Sequence, residues 1–367
     1  MRRLSIALLV SGCLALPAFA QETTQQQQKP QQIQVAFVLD TTGSMVDLIE
    51  GAKQKIWSVA NSILDVNPDA EISMSLIGYR DRGDAYVVQA HHMTEDVQGI
   101  YSDLRRFEAD GGGDTPEAVN EALDAAVRGE DWAEGDNVRR IIVLVGDAPP
   151  HMDYQNAPRY AEVISAARNK GIVVNTIQAG NDPETREYWM EMARLGGGQY
   201  HAIPQDGGQI TQVPTPFDDQ IIQIQTRIDA TIQPYGSVEQ QASVTDKVAE
   251  RSSASASVRA DNSSFYAKKG AKREAVTGGG DLIADIANGE VTLDAVPEAE
   301  MSTEMQAMPE ADRKIFIETK TAERTELEKE MAALVEQRDA YIAENAPKTE
   351  GDSFDVSVKR SLAEQLK

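Results

Sequence analysis

Cysteine is almost missing from this chain: of 367 residues, Cys13 alone carries a thiol. A disulfide within one chain is therefore excluded, and stability outside the cytoplasm has to come from an ordinary apolar core. Positive charge is also scarce. Lys and Arg total 35 against 59 Asp and Glu, for a formal net charge of −24. Such a surface repels phosphate backbones and anionic membranes, so no nucleic-acid partner is expected. Long apolar runs are absent beyond the first twenty residues, and none approaches the roughly 20 residues a transmembrane helix needs. A nucleophile elbow, a P-loop, zinc-ligand spacing and a kinase glycine loop are missing as well. No enzyme signature remains, and the expectation is a protein that is not an enzyme.

At the amino end, "MRRLSIALLVSGCLALPAFA" joins two arginines, an apolar core and Ala18-Phe19-Ala20. That pattern marks residues 1–20 as a secretory signal peptide cleaved after Ala20. "VSGC" offers a second reading, a lipid anchor at Cys13. Apolar Leu14-Ala15-Leu16-Pro17 follows it, where a lipoprotein usually turns polar. The expected location is periplasmic or extracellular.

Residues 21–32 form a Gln-rich tether without apolar periodicity. From Ile33 the texture changes to buried strands alternating with amphipathic helices. Strands are expected at 33–40, 71–79, 85–93, 138–147, 172–180 and 199–203. Helices are expected at 47–64, 97–107, 116–129, 159–171 and 183–198. The short polar link "RDRGD" should make strands two and three a hairpin. This alternation argues for an α/β doubly wound, Rossmann-like domain over 33–210, with a mainly parallel central sheet. A helix and polar linker region is expected over 211–290, with "ERSSASASVRADNSSF" (250–265) reading as linker or loose loop. A helical region should fill 291–367. In it Leu327, Met331, Leu334, Arg338 and Tyr341 form a stripe suited to helix pairing, and a helical hairpin packed on the main domain is expected. Association with a partner through these helices is a further possibility.

Three strand-end loops hold oxygen-bearing side chains: Asp40-Thr41-Thr42-Gly43-Ser44, then Asp114-Thr115, then Asp147. Parallel strands present their carboxyl ends to one edge, so the three loops should converge on one crevice. Hydroxyls and carboxylates without thiolate or imidazole suit a hard cation such as Mg²⁺, or else Mn²⁺ or Ca²⁺. Thr42, Ser44 and Thr115 would supply hydroxyls, and Asp40 and Asp147 the charge. A set with few charged ligands leaves the cation electrophilic, so a partner's acidic group could complete its shell. Each residue also has a plainer role. Ser44 could cap a helix with Asp47 three residues on, Thr115-Pro116 is a good helix start, and Asp40 and Asp147 could be turn residues.

These residues resemble the von Willebrand factor type A (VWA) domain and its metal-ion-dependent adhesion site (MIDAS). The family pattern is Asp-x-Ser-x-Ser, then a distal Thr and a distal Asp. Asp40, Ser44, Thr115 and Asp147 match it, and Thr42 replaces the first serine while keeping the hydroxyl. The resemblance covers about residues 33–205. It implies the family's fold and divalent-metal-dependent binding of a protein ligand that presents Asp or Glu. "GYRDRGD", "GGGDTPE" and "GDAPPH" further look like a subfamily whose remaining domains vary and include kinase fusions.

Around this set, Arg80 could guide an acidic ligand, and Asp81, Asp114 and His151 could support the ligands from behind. The plainer readings are a surface hairpin ion pair for Arg80 and Asp81 and a surface loop for His151. Arg82-Gly83-Asp84 is explained by a tight turn. His91 and His92 are neighbours on a strand and point to opposite faces. Two other classes stay open. One is a metal-dependent hydrolase of the cell envelope with His151 or Asp81 as base. The other is a structural envelope protein whose metal only orders loops.

Overall fold

The computed structural model describes residues 31–113, 115–208, 213–269, 272–345 and 353–366. The leader with Cys13, nearly all of the tether, and Asp114 lie outside the described residues.

Strand β1 (Gln32–Asp40) is apolar on both faces because it is covered on both faces. Ile33, Val35, Phe37 and Leu39 enter one core, while Ala36 and Val38 enter the other. The chain continues through a 3-10 turn (Gly43–Met45), α1 (Val46–Val66), β2 (Glu71–Tyr79), β3 (Val88–Thr94), α2 (Val97–Arg106) and α3 (Val119–Arg128). It then forms β4 (Val138–Gly146), α4 (Tyr160–Asn169), β5 (Ile172–Ala179), α5 (Pro183–Gly196) and β6 (Gly197–Ile203). The six strands lie in the order β3-β2-β1-β4-β5-β6. All pairs are parallel except β2 with β3, which form the expected hairpin. Helices α1 and α2 cover one face, and α3, α4 and α5 the other. Strand order reverses between β1 and β4, where Leu39 pairs with Val145. The carboxyl ends of these two strands, carrying Asp40 and Gly146-Asp147, therefore open onto one crevice.

After β6 come α6 (Asp218–Asp229), α7 (Val238–Ser253), α8 (Ala256–Lys268), α9 (Leu282–Ala287), α10 (Thr303–Gln306), α11 (Glu310–Asn345) and α12 (Phe354–Gln365). The stretch 250–265, read as linker, is instead the end of α7 and most of α8. Few of its residues are apolar, yet Asn262, Ser263 and Ser264 of α8 are buried. Ser263 and Ser264 donate to the carbonyls of Arg259 and Ala260, one turn back. Asn262 donates to Gln98 Oε1 at 3.1 Å, and Phe265 packs on Trp57 of α1 at 5.3 Å between ring centroids.

Helix α11 is one 36-residue helix rather than a hairpin. Its Leu327, Met331 and Val335 pack on Ile221, Ile224 and Ile228 of α6. Val335 joins the expected stripe, with Leu334 packed partly buried against the same cluster. Arg338, which interrupts that stripe, is buried and paired to Asp218 (2.9 Å) and Asp261 (2.7 Å). Helix α12 does not continue the helical group. Phe354, Val358, Leu362 and Leu366 enter the core beneath the sheet, beside α1. Among the described residues, no helix is long and apolar enough to cross a membrane.

Candidate functional site at the β1–β4 crevice

The loop after β1 turns at once into the 3-10 turn, which aims alternate side chains the same way. Asp40 is completely buried. Its Oδ1 accepts hydrogen bonds from the Thr42 backbone N–H (2.9 Å) and the Thr42 hydroxyl (2.6 Å). Thr42 Oγ1 lies 3.3 Å from Ser44 Oγ. Ser44 caps no helix: neither the 3-10 turn nor α1 has a side-chain cap. Thr115 does not start a helix either, because α3 begins at Val119 with Ala118 before it. The plainer roles considered for these two hydroxyls are therefore unfilled.

Thr42, Ser44, Thr115 and Asp147 line one cleft of about 340 Å³, together with Gly112, Glu117, Ala148 and Asp182. Asp40 sits behind Thr42. Two close approaches hold this arrangement. A methyl group at Gly112 would come within 3.0 Å of Thr42 Cβ, and φ there is +77°. A methyl group at Gly146 would strike the Tyr79 hydroxyl and come within 3.2 Å of Asp40 Cβ. Both glycines let backbone pack directly against the ligand loop.

The electrostatics of the crevice are unbalanced. Asp40 Oδ2 and Glu117 Oε2 are buried with no hydrogen-bond partner. Among the described residues, no ion pair reaches Asp40, Glu117 or Asp147. Burial and the charge of Asp147 push the Asp40 carboxyl up to about 7, against the Thr42 hydrogen bonds. Burial, then the charges of Asp40, Asp81, Asp84 and Asp147, push Glu117 up to about 9. An uncompensated carboxylate in a dry site costs several kcal/mol, roughly, unless a cation or a proton answers it. The donors present, hydroxyls plus carboxylates, fit a hard divalent cation. Among the described residues no three His, Cys, Asp or Glu side chains already stand together as metal ligands.

Residues 34–213 match the family model described as von Willebrand factor A domain. This part of the chain is a von Willebrand factor A domain. One curated relative of the A domain is a putative ariadne-like RING finger protein of Acanthamoeba polyphaga mimivirus. It is 24% identical over 189 residues, which is 46% of this chain and 18% of the relative. The chain thus spans under a fifth of that protein's length. Among solved structures, proximal thread matrix protein 1 from the mussel byssus aligns at 13% identity and a TM-score of 0.35, covering 48% of this chain and 42% of that one. The SpRpn10 VWA domain aligns at 15% identity and 0.36, covering 52% and 94%.

Three residues expected around the cleft behave differently. Arg80 is buried, and its guanidinium is spent within the A domain. Nε donates to the Thr41 carbonyl (3.2 Å), Nη2 donates to the Glu108 carbonyl (2.7 Å), and the Tyr86 ring lies beneath at 4.6 Å. It braces the first loop and has no freedom to guide a ligand. Asp81 and His151 are buried too, rather than forming a surface hairpin pair and a surface loop. Asp81 Oδ2 accepts from the Tyr154 hydroxyl (2.8 Å) and lies 3.4 Å from His151 Nε2. His151 stacks on Tyr154 at 3.9 Å, with Nδ1 2.7 Å from Asp153. Asp114 lies outside the described residues. His91 and His92 pair with Asp103 and Glu130 respectively. Asp84 accepts from the backbone of Asp81 and Gly112, as a tight turn requires.

Sequence reading missed Glu117, Asp182 and Gln205. Asp182 caps α5. Gln205 Nε2 donates to Asp147 Oδ2 (2.6 Å) and to the Ser44 carbonyl (3.3 Å), tying two of the loops together.

Proposed function

We propose that this chain is an exported, divalent-metal-dependent binding or scaffolding protein. Its A domain engages an acidic group of a partner through a cation held by Asp40, Thr42, Ser44, Thr115 and Asp147. One observation carries the reading: the buried, unpartnered Asp40 Oδ2 beside a cleft lined by three hydroxyls and Asp147. Thr42 Oγ1 donates its proton to Asp40 Oδ1 and so leaves its lone pairs for a cation. When bound, the cation would supply positive charge and an open position for a partner's oxygen. Mg²⁺ is favoured, with Mn²⁺ and Ca²⁺ as the other hard cations of suitable chemistry. Export rests on residues 1–20.

Binding is preferred to hydrolysis because the two candidate bases stand outside the cleft lining. Asp81 and His151 face each other, Tyr154 and Asp153, and neither lines the cleft. The test is a pull-down from the native envelope fraction with and without chelator, alongside Asp40→Ala. Partner capture should vanish in both cases while the circular dichroism spectrum is retained. Capture that survives both overturns the reading.

A further inference from the structure

Glu117 stands in the turn before α3, its backbone held by both neighbouring segments. Its N–H donates to the Pro149 carbonyl (3.0 Å), and its carbonyl accepts from His151 N–H (3.0 Å). The residue is only 3% exposed, yet it lines the cleft and Oε2 has no partner. A buried carboxylate oxygen needs a donor or a cation. Gly112 borders the same carboxylate at its other oxygen, Oε1. A methyl group there would lie 3.0 Å from Thr42 Cβ and 3.4 Å from Glu117 Oε1, so the missing side chain keeps open the space between Glu117 and the first ligand loop. The carboxylates are not already gathered as direct ligands. Water from the cleft that Glu117 lines is the simplest donor for Oε2, because it needs only polar neighbours.

Resting on the cation site proposed above, we propose that Glu117 is a positioning residue: it accepts a hydrogen bond from a water carried by the cation and thereby makes the site select Mg²⁺ over Ca²⁺. Mg²⁺ gives up its waters reluctantly and is usually bound through one or two carboxylates with several waters retained. Ca²⁺ exchanges water for protein oxygens and takes more of them. A buried acceptor placed for a retained water therefore favours the smaller ion.

The experiment is calorimetric titration of the metal-depleted full chain with MgCl₂ and with CaCl₂ separately, for wild type, Glu117→Ala, Glu117→Gln and Asp40→Asn. Wild type should bind Mg²⁺ more tightly than Ca²⁺. Glu117→Ala should weaken Mg²⁺ by about tenfold or more, the scale of lost outer contacts at metal sites, while changing Ca²⁺ much less. Glu117→Gln, which keeps an oxygen acceptor, should recover part of the Mg²⁺ loss. Should Glu117→Ala fail to fold, Glu117→Gln carries the test through the same shift in the Mg²⁺-to-Ca²⁺ ratio. Equal loss for both ions, no loss for either, or a wild-type preference for Ca²⁺ overturns the proposal. Asp40→Asn separates the two readings. If it abolishes binding of both ions while the Glu117 variants match wild type, only the role of Glu117 fails. If Asp40→Asn binds as wild type does, the cation site itself fails.

Discussion

The A domain and the helical group that follows it bury charge in opposite ways. In the helical group, buried arginines answer carboxylates that are buried or partly so: Arg251 with Asp229, Arg324 with Asp281, Arg338 with Asp218 and Asp261. Arg324 also donates to the Thr231 hydroxyl at 2.7 Å, so its fork is filled. In the A domain, Asp40 and Glu117 are just as deeply buried, but their free oxygens face neither arginine nor lysine. Paired charges in one region serve the fold. Unpaired charges in the other are costly to the fold and make sense only if something from solution completes them.

Several experiments break or sharpen that contrast. The largest effect should come from Arg324→Ala, which leaves buried Asp281 without its counter-charge. Loss of one partner of a buried pair costs about 3–5 kcal/mol, read as a lower urea midpoint. Leu362→Ala should cost about 2–4 kcal/mol. It should loosen α1, seen as a change in Trp57 fluorescence, because α12 belongs to the A-domain core. The next effect is on cation affinity. Because Asp40 is held near 7 without metal and must be ionised to bind, protons compete below that pH. Calorimetric affinity should fall about tenfold per pH unit below 7, with a shallower rise continuing toward pH 9 as Glu117 ionises. The smallest effect has the opposite sign to the first. For a carboxyl whose folded pKa is raised, ionisation costs stability as pH rises from the ordinary value through the raised one. Asp40→Asn should therefore stabilise the metal-free protein at pH 8, by about 1 kcal/mol, while removing the rise in melting temperature that Mg²⁺ gives wild type. Destabilisation by Asp40→Asn in chelator would put Asp40 in the same class as Asp281.

Much of the A domain was legible in sequence because strands buried on both faces carry near-continuous apolar runs, as β1 and β4 do in Val35–Leu39 and Ile141–Val145. The oxygen residues at their ends were legible because turn chemistry alone leaves three convergent loops unexplained. Glu117 was not. A glutamate after Thr-Pro reads as an ordinary first-turn helix residue, favoured by the helix dipole, and only the late start of α3 at Val119 turns it toward the cleft. Arg80 was misplaced because its guanidinium is satisfied by the Thr41 and Glu108 carbonyls, distant in sequence, which no local pattern reveals; His151 is buried beneath the stacked Tyr154 ring, beside Asp81 from the β2 end. Helix α8 was hidden because it packs through Ser and Asn rather than through an apolar stripe.

Because α12 returns to the A-domain core, the helical group is an insertion within that domain rather than an appendage. Its inbound end follows the segment where Gln205 touches Asp147 and Ser44. Its outbound end is pinned where Phe354 N–H donates to the Gly207 carbonyl at 3.0 Å. The two seams thus meet within a few residues of each other, next to the crevice. The inserted helices also bear on α1 and α2, through Phe265 on Trp57 and Asn262 on Gln98, so the molecule has the layout of a handle riveted beside its grip and braced along its flank.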